Sequence, residues 1–94
     1  MENQIIEQGN IKYKIKEDQN TSFVVGIKSG LKAIFISRSI KYKTKEYDVL
    51  GILKGAFNFS GIKSLQFSND SKLQSIHKDA FYHSQIKSIQ IPTE

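Results

Sequence analysis

The sequence predicts a mainly β protein built from tandem repeats, each with a short strand and a single turn of helix, behind a hairpin-rich cap. The first observation is that Ile52 to Phe67 matches the segment 24 residues later, Ile76 to Ile91, at nine of sixteen positions. The second is that apolar and polar residues alternate over short stretches, as they do in half-buried strands. With 94 residues, 38% hydrophobic and 24% charged, the chain suits one small globular domain. We therefore expect a single domain over 1–94, with a cap at 1–46 and two 24-residue repeats at 47–94.

The cap begins with a strand at 10–16, where Ile11, Tyr13 and Ile15 alternate with lysines. After a polar turn at 17–20, the β-rich segment 21–27 is a partner strand. Segments 39–43 and 46–49 predict a further hairpin, with Thr44-Lys45 as its turn, although the turn lacks the usual Asn-Gly or Asp-Gly signal. The N-terminal half is therefore expected to be a meander that covers one end of the repeats.

Each repeat contains a strand, Ile62 to Phe67 or Ile86 to Ile91. The apolar residues Leu65, Phe67, Ile89 and Ile91 should point into a core, with serine and glutamine pointing away. Segment 31–37 has the same apolar spacing and predicts a third copy of this strand, 31 residues before the next. The Lys-x-Ala-Phe segments at 54–57 and 78–81 predict single helical turns that place Phe57 and Phe81 in equivalent buried positions.

The first repeat reads Tyr47-x-Val49-x-x-Ile52-x-x-x-Ala56-Phe57-x-x-Ser60-x-Ile62-x-Ser64-Leu65-x-Phe67, and the second closes with Ile89-Gln90-Ile91-Pro92. This pattern resembles the BspA-like leucine-rich repeat, strongly over 47–92 and weakly over 9–46. Ser60 and Ser84 stand where that family commonly has cysteine. The resemblance implies a solenoid of short parallel strands with single helical turns. It also implies a non-catalytic, protein-binding or adhesin-like module.

The expected ligand surface follows from a parallel stack of these strands. The residue between the two inward side chains of each strand aligns with its equivalents, so Phe35, Gln66 and Gln90 should form an exposed row flanked by Ala33, Ser64 and Ser88. Phe35 would supply an apolar anchor for another protein. The alternative is that a single exposed phenylalanine has no function, since isolated surface hydrophobics are common. We predict the ligand-binding residues to be Phe35, Ser64, Gln66, Ser88 and Gln90.

A second hypothesis is electrostatic binding of an anionic surface or polyanion. Net charge is +5, and two sets of alternating lysines could form a basic stripe. Lysines on exposed strands also discourage pairing between sheet edges, and nearby acidic residues dilute the stripe. Arg38 is the single arginine, which argues against guanine or phosphate recognition in nucleic acids. The lysines of the stripe are Lys12, Lys14, Lys16, Lys41, Lys43 and Lys45.

The sequence contains few of the residues and motifs from which a catalytic, metal or cofactor site is built. It has no cysteine, and its two histidines, His77 and His83, are six residues apart with Asp79 nearby, which fits no common ligand spacing. No glycine-rich phosphate loop or nucleophile elbow occurs. We therefore expect no enzyme activity, no metal and no cofactor.

Three further expectations concern context. The first residues lack a signal-peptide pattern and no stretch is apolar enough to span a membrane, so the sequence as written predicts the cytosol, or a surface location if it is part of a longer protein. Asn20, Asn58 and Asn69 begin glycosylation triplets, which matter only in a secretory pathway. A last repeat without a cap predicts either further repeats or self-association through the C-terminal end.

Overall fold

The alternating sequence folds into short strands, as predicted. The computed structural model describes residues 3–28, 30–58, 61–81, 86 and 88–90, with only the backbone described at 3 and 88–90. These residues contain no helix. A six-stranded sheet has the order β1-β2-β3-β6-β5 with β8 also paired to β6, and a three-stranded sheet has the order β4-β7-β9. The strands are β1 (Asn3–Gln8), β2 (Ile11–Lys16), β3 (Thr21–Ile27), β4 (Ala33–Ile36), β5 (Ser39–Tyr42), β6 (Lys45–Ile52), β7 (Ser64–Phe67), β8 (Ser75–Ile76) and β9 (Ser88–Gln90).

The N-terminal meander is confirmed and has one more strand than the sequence predicted. β2 and β3 pair antiparallel as expected, and β1 adds to the other edge of β2. Gly9 and Asn10 form the two-residue turn between β1 and β2, with Gly9 at a φ of 60°. Glycine adopts that left-handed conformation at low cost, which suits the first position of a type II′ hairpin turn.

The hairpin of β5 and β6 is also confirmed, with its turn displaced by one residue. Tyr42 is opposite Lys45, so the turn consists of Lys43 and Thr44 rather than Thr44 and Lys45. β6 then continues to Ile52 and pairs in parallel with β3 through its second half. One strand therefore belongs both to the hairpin and to the repeat region.

The repeat appears as two parallel sets of strands. In the larger sheet Val24 of β3, Ile52 of β6 and Ile76 of β8 lie side by side. In the smaller sheet β7 pairs in parallel with β4 and with β9, which confirms the predicted third copy of the strand. Backbone bonds join equivalent residues, since the Gln74 amide donates to the Leu50 carbonyl at 2.7 Å, one 24-residue repeat away.

The predicted helical turns are not confirmed within the described residues. Segment 54–58 forms hydrogen-bonded turns, in which the Ala56 amide donates to the Leu53 carbonyl and the Asn58 amide to the Gly55 carbonyl. Gly55 has a φ of 80°, in the left-handed region, so a right-handed helix cannot continue through it. The turns of successive repeats stack instead, and the Phe57 amide donates to the Ala80 carbonyl at 2.8 Å.

The core lies between the inward faces of the two sheets and the stacked turns. Its first-repeat residues Ile52, Phe57 and Ile62 are fully buried, whereas their second-repeat equivalents Ile76, Phe81 and Ile86 are partly buried. The expected equivalence in burial is therefore wrong. The strands of the first copy, β6 and β7, have described parallel neighbours on both sides. Those of the second copy, β8 and β9, have a described neighbour on one side. Ser60, His83 and Ser84 lie outside the described residues.

Candidate functional site

The candidate surface is the outward face of the three-stranded sheet. Parallel pairing places Phe35 of β4 beside Gln66 of β7, and Gln66 beside Gln90 of β9. Ala33, Ser64 and Ser88 form the adjacent row in the same register. The sheet therefore brings the backbone positions of all five predicted ligand-binding residues, Phe35, Ser64, Gln66, Ser88 and Gln90, next to one another.

Burial on the opposite face holds these strands in place. Ile34, Ile36 and Leu65 point into the core and are at most 8% exposed, so a shift of one residue would turn them toward solvent. The ends of β4 are fixed as well, because the Lys32 carbonyl accepts the Lys63 amide at 2.8 Å and the Ile36 carbonyl accepts the Ser68 amide at 3.0 Å. The outward residues are thus presented from strands whose opposite face is buried.

The described part of this face is uncharged and only modestly apolar. The Phe35 side chain is 55% exposed, Gln66 is exposed and Ser64 is half-buried. A phenyl ring beside a carboxamide offers apolar contact together with one hydrogen-bonding group, which suits recognition of another protein surface. None of these described side chains ionises near neutral pH, so none of them can act as a general acid or base there.

A cleft of about 440 Å³ opens beside β4 and was not predicted. It lies between the turn that joins β1 to β2 and the consecutive strands β4 and β5. Gln8 bridges the two walls, since its side-chain amide donates to the Lys41 carbonyl. The lining residues are Gln8, Gly9, Asn10, Ile11, Tyr13, Ala33, Ile34, Phe35, Ser37, Ser39, Ile40 and Lys41.

Tyr13 is a buried titratable residue on the inner wall of the cleft. Its side chain is almost fully buried, and burial raises the pKa of the phenol above its usual value of 10.0 because the phenolate would lose its hydration. The phenol is therefore protonated at physiological pH and can donate a hydrogen bond.

The predicted basic stripe is divided by the fold. Lys12, Lys14 and Lys16 lie on the outward face of β2, where Lys12 is directly opposite Glu7 of β1. Lys16 extends across the Phe23 ring, with its Nζ 5.5 Å from the ring centroid. This half of the stripe is a real but interrupted basic surface.

The second half of the stripe does not alternate along a single strand, because a turn interrupts it. Lys43 lies in the turn with a φ of 59°. Lys45 is opposite Tyr42, while Lys41 is opposite Glu46, and these two pairs point to opposite faces of the sheet. Around the curved sheet β5 approaches β1, because the Gln8 side-chain amide donates to the Lys41 carbonyl. Lys41, Lys43 and Lys45 therefore do not share one face of the sheet, and a basic surface that joins them to Lys12, Lys14 and Lys16 stays a prediction.

The remaining candidate residues, considered for metal binding and glycosylation, do not cluster into a site in the described part of the chain. The His77 Nδ1 accepts the Asp79 amide at 3.0 Å, a local turn contact. Among the described residues no group of three or more His, Cys, Asp or Glu side chains could hold a metal ion. No helix that is long and apolar enough to cross a membrane occurs in that part of the chain. Asn20 and Asn69 are exposed and Asn58 is half-buried, and glycosylation at any of them stays a prediction.

The fold is shared with two solved structures, although no protein-family model and no curated protein matches the chain. A leucine-rich repeat protein from Bacteroides capillosus superposes with a TM-score of 0.79 at 20% identity, over 94% of this chain and 65% of that one. A leucine-rich repeat protein from Bacteroides ovatus superposes with a TM-score of 0.61 at 20% identity, over 93% of this chain and 29% of that one. The chain thus spans about two thirds of the first and less than a third of the second. Its mainly β fold is that of leucine-rich repeat proteins.

Proposed function

We propose that this chain is a non-catalytic protein-recognition module, a BspA-like leucine-rich-repeat solenoid of the adhesin-like kind. Its contact surface is the outward face of β4, β7 and β9. The observation that carries the proposal is the register of this sheet, which places the exposed Phe35 ring beside the exposed Gln66 amide over a buried support. The solenoid interpretation is supported by parallel pairing of equivalent strands in both sheets, and the leucine-rich-repeat fold of the two solved structures agrees with it.

The strength of such a surface depends on Phe35. Interfaces concentrate their binding free energy in a few aromatic or arginine anchors that become desolvated at the centre of the contact. A half-exposed ring on a rigid strand loses little conformational entropy on binding, and neighbouring amides and hydroxyls can satisfy polar groups of the partner.

The test compares matched baits in an affinity capture, followed by titration of each captured protein. Phe35→Ala and Gln66→Ala should weaken a genuine partner about tenfold or more without lowering the melting temperature. Ile5→Ala is the matched control, because Ile5 is 64% exposed on the other sheet. Proteins that bind wild type, Phe35→Ala and Ile5→Ala equally would contradict the proposal.

Polyanion binding through the lysines is distinguished by two further measurements. Lys12→Ala and Lys43→Ala should have small effects on a partner of the sheet face, and the affinity should depend weakly on salt. Loss of binding from the lysine substitutions alone, with an affinity that falls steeply as salt is added, would establish the polyanion alternative.

Self-association through the C-terminal end belongs to the same proposal. The apolar side chains of Leu73, Ile76 and Phe81 are only partly buried there. Sedimentation over a range of concentrations tests it, and a monomer at every concentration would reject this mode of association.

A further inference from the structure

The two sheets end differently on their N-terminal side. Beyond β3, the larger sheet continues with β2 and β1. Beyond β4, no strand pairs with the smaller sheet within the described residues. On this side the larger sheet therefore extends two strands further than the smaller one, and the cleft beside β4 occupies the resulting notch.

The backbone of β4 presents hydrogen-bonding groups to this notch. The Lys32 and Ile36 carbonyls accept the Ser64 and Ser68 amides, so the even-numbered residues of β4 bond toward β7. Successive residues of a strand direct their N–H and C=O groups to opposite edges. The N–H and C=O groups of Ala33 and Phe35 therefore point away from β7 and into the cleft.

An added strand would meet a small apolar floor inside a mostly polar lining. The inner wall of the cleft is apolar, formed by Ile11, Tyr13, Ile34 and Ile40, all at most 8% exposed. Its rim is polar. Its volume of about 440 Å³ lies within the range typical of ligand sites, roughly 300–1,000 Å³.

The described ionic groups near the cleft carry a net positive charge. Lys41 lines the cleft and is opposite Glu46, whose carboxylate accepts the hydroxyl of the lining residue Ser39, and no carboxylate is itself among the described lining residues. Lys32 precedes β4 and is exposed, and the exposed Lys28 is held beside the cleft because its amide donates to the Asn10 carbonyl at 2.9 Å. A partner that carries carboxylates is favoured over a basic one.

We propose that the free edge of β4 binds an extended acidic peptide segment of a partner protein as an additional strand. The backbone of the segment bonds to Ala33 and Phe35. Its alternate side chains are apolar and cover Ile11, Tyr13 and Ile34, while the side chains between them are carboxylates that face the lysines. This is recognition by strand addition. It uses the edge of β4, whereas the proposed function uses the face, so either can hold without the other.

The test uses short acetylated peptides in which glutamate and valine alternate, measured by calorimetry. The peptide should bind the full chain, and its counterpart with lysine in place of glutamate should bind at least tenfold more weakly. Two further versions of the acidic peptide are N-methylated at every second backbone amide. One version is methylated at the odd-numbered amides and the other at the even-numbered amides. In an added strand only one set faces β4, so only one of the two should lose binding. Equal affinity of both methylated peptides, equal affinity of the lysine peptide, or no binding by any peptide would each overturn the proposal.

Protein variants give an independent arm. Ala33→Pro removes one N–H from the free edge at the first residue of the strand, where proline is tolerated, and leaves the bonds to β7 in place. It should weaken the acidic peptide about tenfold or more, while Ala33→Ser and Gln66→Ala should not. If Ala33→Pro does not fold, the methylated peptides carry the test alone. Sedimentation at the same concentrations identifies a second copy of the chain as the occupant, and a dimer that excludes the peptide would also overturn the proposal.

Discussion

At the scale of single residues, Phe57 is the largest fully buried side chain of the described core. Its ring is 0% exposed and stacks on the Phe81 ring, with centroids 5.0 Å apart and planes 4° from parallel. We expect Phe57→Ala to lower the free energy of unfolding by about 3–5 kcal/mol, because it removes a buried ring and leaves a cavity. Phe81→Ala should cost clearly less, since that ring is only partly buried. Chemical denaturation measures both, and equal losses would contradict the burial difference.

Tyr13 should make stability depend on pH in the alkaline range. Burial raises the pKa of its phenol in the folded state above 10.0, so the unfolded chain releases the proton first as pH rises. Folding stability should therefore be unaffected below pH 10 and fall as pH rises through 10 toward the folded pKa. Tyr13→Phe should show a smaller fall over the same range, measured by thermal melting. Identical alkaline slopes for the two proteins would contradict this assignment.

At the scale of elements, the turn between β1 and β2 sets one wall of the cleft. Gly9 has a φ of 60° and an added Cβ would meet no atom within 4 Å, so a substitution there costs conformational energy alone. Gly9→Ala should lower the free energy of unfolding by about 1 kcal/mol. Gly26→Ala is the matched control, because its Cβ would make an ordinary contact with Lys12 at 3.6 Å, without a left-handed φ. Melting curves of the two variants decide the point, and a Gly9→Ala protein as stable as Gly26→Ala would contradict it.

Local patterns predicted the elements well where one face is buried. The alternation of Ile11, Tyr13 and Ile15 identified β2 because all three side chains are in the core. β1 was missed because Gln4 and Gln8 occupy two of its inward positions, although the Gly9-Asn10 pair is a recognised hairpin signal. The helical turn at 54–57 is not confirmed, because Gly55 adopts a left-handed φ that glycine permits and that the sequence does not specify.

The two surfaces differ in how far the sequence could reveal them. The row of Phe35 and Gln66 follows from strand alternation and the repeat, both of which are local. The cleft depends on curvature of the larger sheet, which brings Gln8 to Lys41, 33 residues away. The side-chain amide of Gln4 likewise donates to the Tyr42 hydroxyl at 2.9 Å. No motif in either segment indicates that contact, since sheet curvature is a collective property of twist and bulges.

At the scale of the whole molecule, the protection of backbone amides from hydrogen exchange should depend on where their strand lies in the stack. β6 and β7 have parallel neighbours on both sides, whereas β8 and β9 each pair on one side in the described chain. We expect the amides of Leu53 and Ser68, which bond to Val24 and Ile36, to exchange with solvent at least tenfold more slowly than those of Gln74 and His77. Hydrogen exchange followed by NMR measures this. Uniform protection across all four amides would show that the stack opens only as one unit.

The constant offset between equivalent residues also bears on how a gene for such a chain can change in length. Leu50 bonds to Gln74 and Gly55 to Asp79, each pair 24 positions apart, and β7 and β9 keep the same offset. A tandem duplication of the 24 codons for 53–76 would add a second copy of β7 and of β8, and so one further strand to each sheet. The result is the same wherever the duplication begins within the turn. The 31-residue interval between Ile34 and Leu65 contains the hairpin of β5 and β6, so its duplication would add that hairpin as well. Unequal crossing-over in multiples of 24 codons therefore keeps the inward and outward residues of each layer aligned, while the 31-residue interval shows that extra residues are accommodated where they form a hairpin of their own.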